Sequence, residues 1–152
     1  MKMSNKYINQ RFFLALISIF YCAFASASWI PIIRHFTPKN YGAGTQNWDM
    51  VEQVNGWMYV ANNYGLLETD GCHWNLYGIS NSTAVRAITT DRDGNIYVGG
   101  TDEFGVFSSN GLGGLTYRPL SVNIPERYRQ FGEVWRLQIE NNKLYVQTRH
   151  YI

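Results

Sequence analysis

Asp91, Asp93 and Asn95 alternate along one short stretch, and oxygen ligands at such spacing are what a calcium loop uses. The remaining ligands of that pattern, its glycine after the third ligand and its distal Glu are missing. Asn55-Gly56 and Asn141-Asn142 hold the matching places elsewhere in the chain, so the stretch reads as a hairpin turn. Cys72-His73 pairs a thiol with an imidazole, but neighbours on a strand point to opposite faces and do not share one metal. His35 and His150 stand alone in sequence. HExxH, GxSxG and CxxC do not occur, and the acids are scattered. No catalytic residue, metal ligand or cofactor is assigned, and the chain is not read as an enzyme.

Recognition chemistry is better represented. Two polar segments, Ala61-Asn62-Asn63-Tyr64 and Gly100-Thr101-Asp102-Glu103-Phe104, combine amides, carboxylates and aromatic rings. Sugars ask for this mixture, because their hydroxyls need hydrogen-bond partners and their apolar faces stack on rings. The ligand-binding candidates are therefore Asn62, Asn63, Tyr64, Asp102, Glu103 and Phe104. Arg86 and Arg136, each near the start of a short strand, are added as groups suited to an acidic sugar. For any one of these residues, a solvated loop or a structural arginine is the simpler reading.

The elements that must position these residues repeat along the chain. Asn55-Gly56-Trp57-Met58-Tyr59-Val60, Asp93-Gly94-Asn95-Ile96-Tyr97-Val98 and Asn141-Asn142-Lys143-Leu144-Tyr145-Val146 share a turn, an apolar residue and Tyr-Val. The tyrosines fall 38 and 48 residues apart. A short alternating strand precedes each turn, at residues 48–54, 85–90 and 134–139. After the first two Tyr-Val pairs comes a polar turn, a Gly-led strand (Gly65-Leu66-Leu67, Gly105-Val106-Phe107) and a fourth aromatic strand at residues 73–79 or 115–120. Four short strands at a period of about 40–45 residues are the signature of a β-propeller blade. The expected fold is all-β, an incomplete β-propeller of about two and a half four-stranded antiparallel blades, at residues 46–82, 83–123 and 131–152. Trp57, Tyr59, Trp74, Tyr97, Tyr117, Trp135 and Tyr145 are read mostly as packing between blades.

Propellers close with roughly 4–8 blades, so the chain reads as an N-terminal fragment whose missing blades belong to a parent protein. Its uncovered flanks predict a chain that aggregates or self-associates when alone. The first residues form an address. Residues 1–11 are polar and positive, residues 12–25 are apolar, and Ala25-Ser26-Ala27 offers a small-x-small cleavage site. A signal peptide over residues 1–27 is expected, with an uncleaved anchor as the alternative; export to the periplasm follows. Residues 28–45 form a lead-in, with residues 29–36 a candidate ring-closing strand. From Ser28 on, ten Lys+Arg face eleven Asp+Glu, which leaves no excess of positive charge for nucleic-acid phosphates. The aromatic and apolar content also excludes a disordered chain.

The block from Ile33 through Arg34-His35-Phe36-Thr37-Pro38-Lys39-Asn40-Tyr41-Gly42 to Trp48 resembles the opening of certain bacterial sensor-regulators. Gly65-Leu66-Leu67-Glu68-Thr69-Asp70-Gly71 with Trp74, and Val85-Arg86-Ala87-Ile88 followed by Asp93-Gly94-Asn95-Ile96-Tyr97-Val98-Gly99, resemble their repeats. The family is the two-component-regulator propeller sensors. Tyr97 with Gly99-Gly100 departs from its usual Trp followed by Gly-Thr, as does Tyr59 with Ala61-Asn62. The resemblance implies detection of a small ligand, with oligosaccharides as its class. It also implies a homodimeric, membrane-spanning parent that passes the signal to a kinase or transcription factor. The alternatives are part of an exported propeller enzyme, such as a polysaccharide lyase or glycosidase, or a secreted carbohydrate-binding module.

Overall fold

The computed structural model describes Phe13, Leu14 and residues 31–152. Apart from Phe13 and Leu14, the expected signal peptide and its cleavage site lie outside the described residues. The chain divides into two units, Met1–Arg34 and His35–Ile152. In the first, Phe13 and Leu14 are helical, and residues 31–34 form no strand.

The second unit is all-β apart from short helical turns. Its first element, α1 (Pro38–Tyr41), is a single turn. Thr37 starts it, its backbone N–H and its hydroxyl both donating to Asn40 Oδ1 (2.8 and 2.7 Å). Pro38 suits the first helical position because its missing N–H would have no partner there. Gly42, at φ 65°, ends the turn.

Two four-stranded antiparallel sheets follow. The first holds β1 (Asn47–Glu52), β2 (Met58–Asn62), β3 (Gly65–Thr69) and β4 (Trp74–Tyr77) in chain order. The second holds β5 (Ala87–Thr90), β6 (Ile96–Gly99), β7 (Phe104–Ser109) and β8 (Leu115–Pro119), again in order. A separate hairpin pairs β9 (Val134–Glu140) with β10 (Lys143–Thr148). Successive meandering sheets of this kind are propeller blades. The described residues thus make an incomplete β-propeller: two blades and the first two strands of a third.

Side chains alternate along each strand, so every blade has one face toward its predecessor and one toward its successor. Tyr59, Ala61 and Leu66 of blade 1 pack with Ile88, Ile96, Val98 and Phe107 of blade 2. On its other face, blade 2 packs Ala87, Tyr97 and Phe104 with Val134, Leu137, Leu144 and Val146 of the hairpin, and with Ile124 and Phe131 of the incoming loop. Gly99 permits the second contact: a Cβ there would run into the Val134 side chain. The joints repeat in their backbone too. Val85 N–H donates to Asn62 O (3.1 Å), and Val134 N–H donates to Gly100 O (2.9 Å).

Of the seven strand aromatics read mostly as packing between blades, three do not pack there, and the first is Trp74, on the outer flank of blade 1 with Tyr41, Val60 and Leu67. Tyr145 is 47% exposed because the face that Tyr59 and Tyr97 turn to the next blade is open on the β9–β10 hairpin. Trp135 is 51% exposed for a different reason, a local slip in the β9–β10 register. Residues 31–36, the described part of the lead-in's candidate ring-closing strand, hold no strand, and no last blade is present among the described residues for it to join. Instead Phe36 and Tyr41 pack their rings on Trp74 (centroids 5.2 and 5.5 Å), and Tyr41 covers Val60 and Leu67 on the outer flank of blade 1.

Candidate functional site

Arg86 lies at the start of blade 2, one residue before β5. Its backbone N–H donates to Gly99 O (2.8 Å), while Ala87 pairs with Gly99 in the ladder. Arg86 therefore stands at the mouth of the blade, just before the ladder begins. The other two blades have an unpaired residue at the same place. The β1–β2 register slips between Asn47 and Asp49, leaving Trp48 unpaired, and the β9–β10 register slips so that Val134 and Arg136 are paired but Trp135 is not. A β-bulge re-aims the side chain it carries. Two bulges, with Arg86 at the matching place just ahead of β5, gather side chains from successive blades into an arc, Trp48, Arg86 and Trp135.

The arginine is the centre of the arc. Its guanidinium carbon sits 4.2 Å from the Trp48 ring centroid and 5.8 Å from that of Trp135. Its Nη2 lies 2.8 Å from Glu133 Oε1. Its Nε is buried and without a hydrogen-bond partner. Cation–π attraction to two indoles and a carboxylate contact hold the side chain in place.

Beside this arc is a concavity of about 640 Å³. Trp135 and Glu133 form one side, and Asp102, Gln130, Arg149 and His150 complete much of the wall. The Asp102 turn is locked to the wall: Gly132 N–H donates to Asp102 Oδ1 (2.6 Å) and Asp102 N–H donates to Gly132 O (2.9 Å). Asp102 takes φ 54°, a left-handed conformation that Asp tolerates better than most residues. The turn and the loop ahead of β9 are thus one rigid rim.

Each residue selected from sequence has a definite place. Asn62 is fully buried. Its Oδ1 accepts from the N–H groups of Gly44 (3.0 Å) and Tyr64 (2.9 Å), and its Nδ2 donates to Gly44 O (2.7 Å) and Asn47 Oδ1 (2.7 Å). Asn63 Oδ1 accepts from Trp48 Nε1 (2.8 Å) and so fixes one end of the arc. Tyr64 is 66% exposed, on the turn after β2. Glu103 is 5% exposed and accepts from the N–H groups of Ser80 (3.0 Å) and Asn81 (2.9 Å), which ties blade 2 to the loop leaving blade 1. Phe104 packs its ring at a tilt against Phe131, with centroids 5.9 Å apart, behind the concavity. Arg136 sits on the open face of the hairpin, lining a separate concavity of about 390 Å³ with Gln138, Tyr145 and Gln147. Of the eight, only Asp102 lines the larger concavity, with Arg86 and Phe104 just behind it.

Sequence reasoning did not select Trp48, Glu133, Trp135, Gln130, Arg149 or His150 for a site. A signal existed for three positions: Trp48 and Arg86 each precede the repeat tyrosine by 11 residues, and Trp135 precedes it by 10. Glu133 and the pair Arg149-His150 carry no comparable mark.

Ionisable groups elsewhere serve the blades. Tyr59 is pushed up to about 12 by burial and then by Glu68, whose carboxylate accepts from Tyr59 (3.3 Å) and Tyr77 (2.9 Å). Burial and then Glu103 raise Tyr117. Asp91 accepts from Asn95 N–H and Nδ2 (2.9 and 2.8 Å) and closes the β5–β6 turn. Among the described residues no three His, Cys, Asp or Glu side chains are grouped to hold a metal ion. No described helix is long and apolar enough to cross a membrane.

A family model described as a beta-propeller repeat matches residues 75–101, from β4 of blade 1 to the turn after β6 of blade 2. No curated protein and no solved structure gives a significant match.

Proposed function

We propose that this chain supplies blades to a periplasmic, ligand-sensing β-propeller of a membrane-spanning signal-transduction or transcriptional regulator, and that the sensed ligands are oligosaccharides. The observation that carries this reading is Trp135, a half-exposed indole on the rim of a concavity whose walls offer amide, carboxylate and guanidinium groups. A saccharide needs one ring to stack on and several hydrogen-bonding groups around it, held on a rigid frame. The rim meets the last need, because the Asp102 turn and the loop before β9 exchange backbone hydrogen bonds. The repeats and opening block that resemble sensor-regulators give the signalling role. Titration of the full chain with a panel of glycan fragments, read by tryptophan fluorescence and calorimetry, tests the binding function. Saturable binding of at least one oligosaccharide is expected. A panel without any binder overturns the reading.

A further inference from the structure

The charge of the rim narrows the ligand class, on the understanding that the concavity is a sensing site for saccharides. We infer that its ligand is an uncharged oligosaccharide, stacked on Trp135, and not a uronate or a sulfated sugar. Arg86 is the cation nearest the indoles and the natural candidate to hold an acid. It is closed to a ligand: Glu133 occupies its Nη2 at 2.8 Å, Trp48 covers it at 4.2 Å, its unpaired Nε is buried, and its side chain is only 21% exposed. The wall and its backing then hold two carboxylates, Asp102 and Glu133, against two guanidiniums, Arg86 and Arg149. An acidic sugar entering here faces both carboxylates and finds Arg149 as the one guanidinium on the wall itself. It gives up hydration that this balance does not restore.

A neutral sugar has no such penalty, and the groups available to it are of both kinds. Glu133 and Asp102 each keep one carboxylate oxygen outside the contacts described above, as acceptors for hydroxyls. Gln130, Arg149 and His150 make no side-chain hydrogen bond among the described residues and supply donors. Trp135 presents the stacking face, because its bulge turns it out of the blade. Arg86 is a positioning residue: it fixes Glu133 and cancels its charge.

The full chain is titrated with cellobiose, xylobiose and mannobiose, and with digalacturonic acid and a sulfated disaccharide, at about 20 and about 300 mM NaCl. A neutral disaccharide should bind, with a Kd that changes less than about twofold between the two salts. Trp135→Ala should weaken it about tenfold or more, with unchanged far-UV circular dichroism, and Trp135→Phe should retain most of the affinity. Glu133→Gln leaves Arg86 unbalanced and should raise affinity for digalacturonic acid. Tighter, salt-sensitive binding of the acidic disaccharides overturns the charge assignment and leaves the sensing reading standing. Neutral binding that survives Trp135→Ala overturns the placement of the site. Binding of neither class removes both the inference and the reading beneath it.

Discussion

Glu103 was selected from sequence as a polar loop residue suited to a ligand, and its surroundings show what such a residue does when buried. Both carboxylate oxygens accept backbone N–H groups of the preceding inter-blade loop. Hydrogen bonds to a charged group contribute about 1.5–3 kcal/mol each, and stranded donors add to the loss. Glu103→Ala should therefore cost about 2–4 kcal/mol in urea unfolding, and Glu103→Gln distinctly less, since the amide keeps one acceptor oxygen. A second residue-scale prediction concerns pH. His73 Nδ1 lies 2.9 Å from Asp70 Oδ2. That hydrogen bond, and then the carboxylate charge, raise His73 above its ordinary 6.5. The His73 ring and the N–H groups of His73 and Cys72 lower Asp70 from its ordinary 3.8. Pairing is thus complete between those two ordinary values. It is lost as pH rises through the raised value of His73, and as pH falls through the lowered value of Asp70. In an NMR titration Asp70→Asn should move the His73 midpoint down; an unmoved midpoint rejects the pairing.

At the scale of elements, the joints between blades depend on close approach. Gly99→Ala would put a methyl group into Val134, and over-packing of this kind costs about 1–3 kcal/mol. Gly65→Ala should be worse, because its φ of 140° disfavours any side chain and the new Cβ would meet Tyr77 O. Thermal unfolding of both variants checks the order. Strands were legible in the sequence where alternation and turn chemistry coincide: Tyr59, Tyr97 and Tyr145 sit in the second strands of their blades, after Asn-Gly, Asp-Gly-Asn and Asn-Asn. The bulges were legible only as a spacing ahead of each repeat tyrosine, because whether a residue is unpaired depends on the register of two strands and not on its own type. For the same reason Trp135 looked like packing and Glu103 looked like a ligand group. The partner of Glu103 is a pair of backbone N–H groups 22 and 23 residues away, which leave no trace in side-chain pattern.

At the scale of the molecule, the two outer faces of the array differ. The outer flank of blade 1 is partly covered by Phe36 and Tyr41, yet Met50 remains 63% and Leu76 40% exposed. The open face of the hairpin carries Arg136, Gln138, Glu140, Lys143 and Gln147 beside Tyr145. An uncovered apolar flank drives association at roughly 25 cal/mol per Å² buried, so self-association of the chain should run through blade 1. Met50→Lys with Leu76→Lys should lower the average mass seen by light scattering, whereas Gln138→Lys should leave it unchanged. The reverse pattern would place the contact on the hairpin.

The repeat recognised at residues 75–101 is out of step with the blades: it begins in the last strand of one and ends after the second strand of the next. Within it, Asn81 Nδ2 donates to Thr101 O (2.9 Å), so the loop leaving blade 1 and the turn after β6 are held together inside a single segment. The segment therefore carries a fastening of its own: the loop that leaves one blade is tied to the turn after the second strand of the next without help from residues outside it.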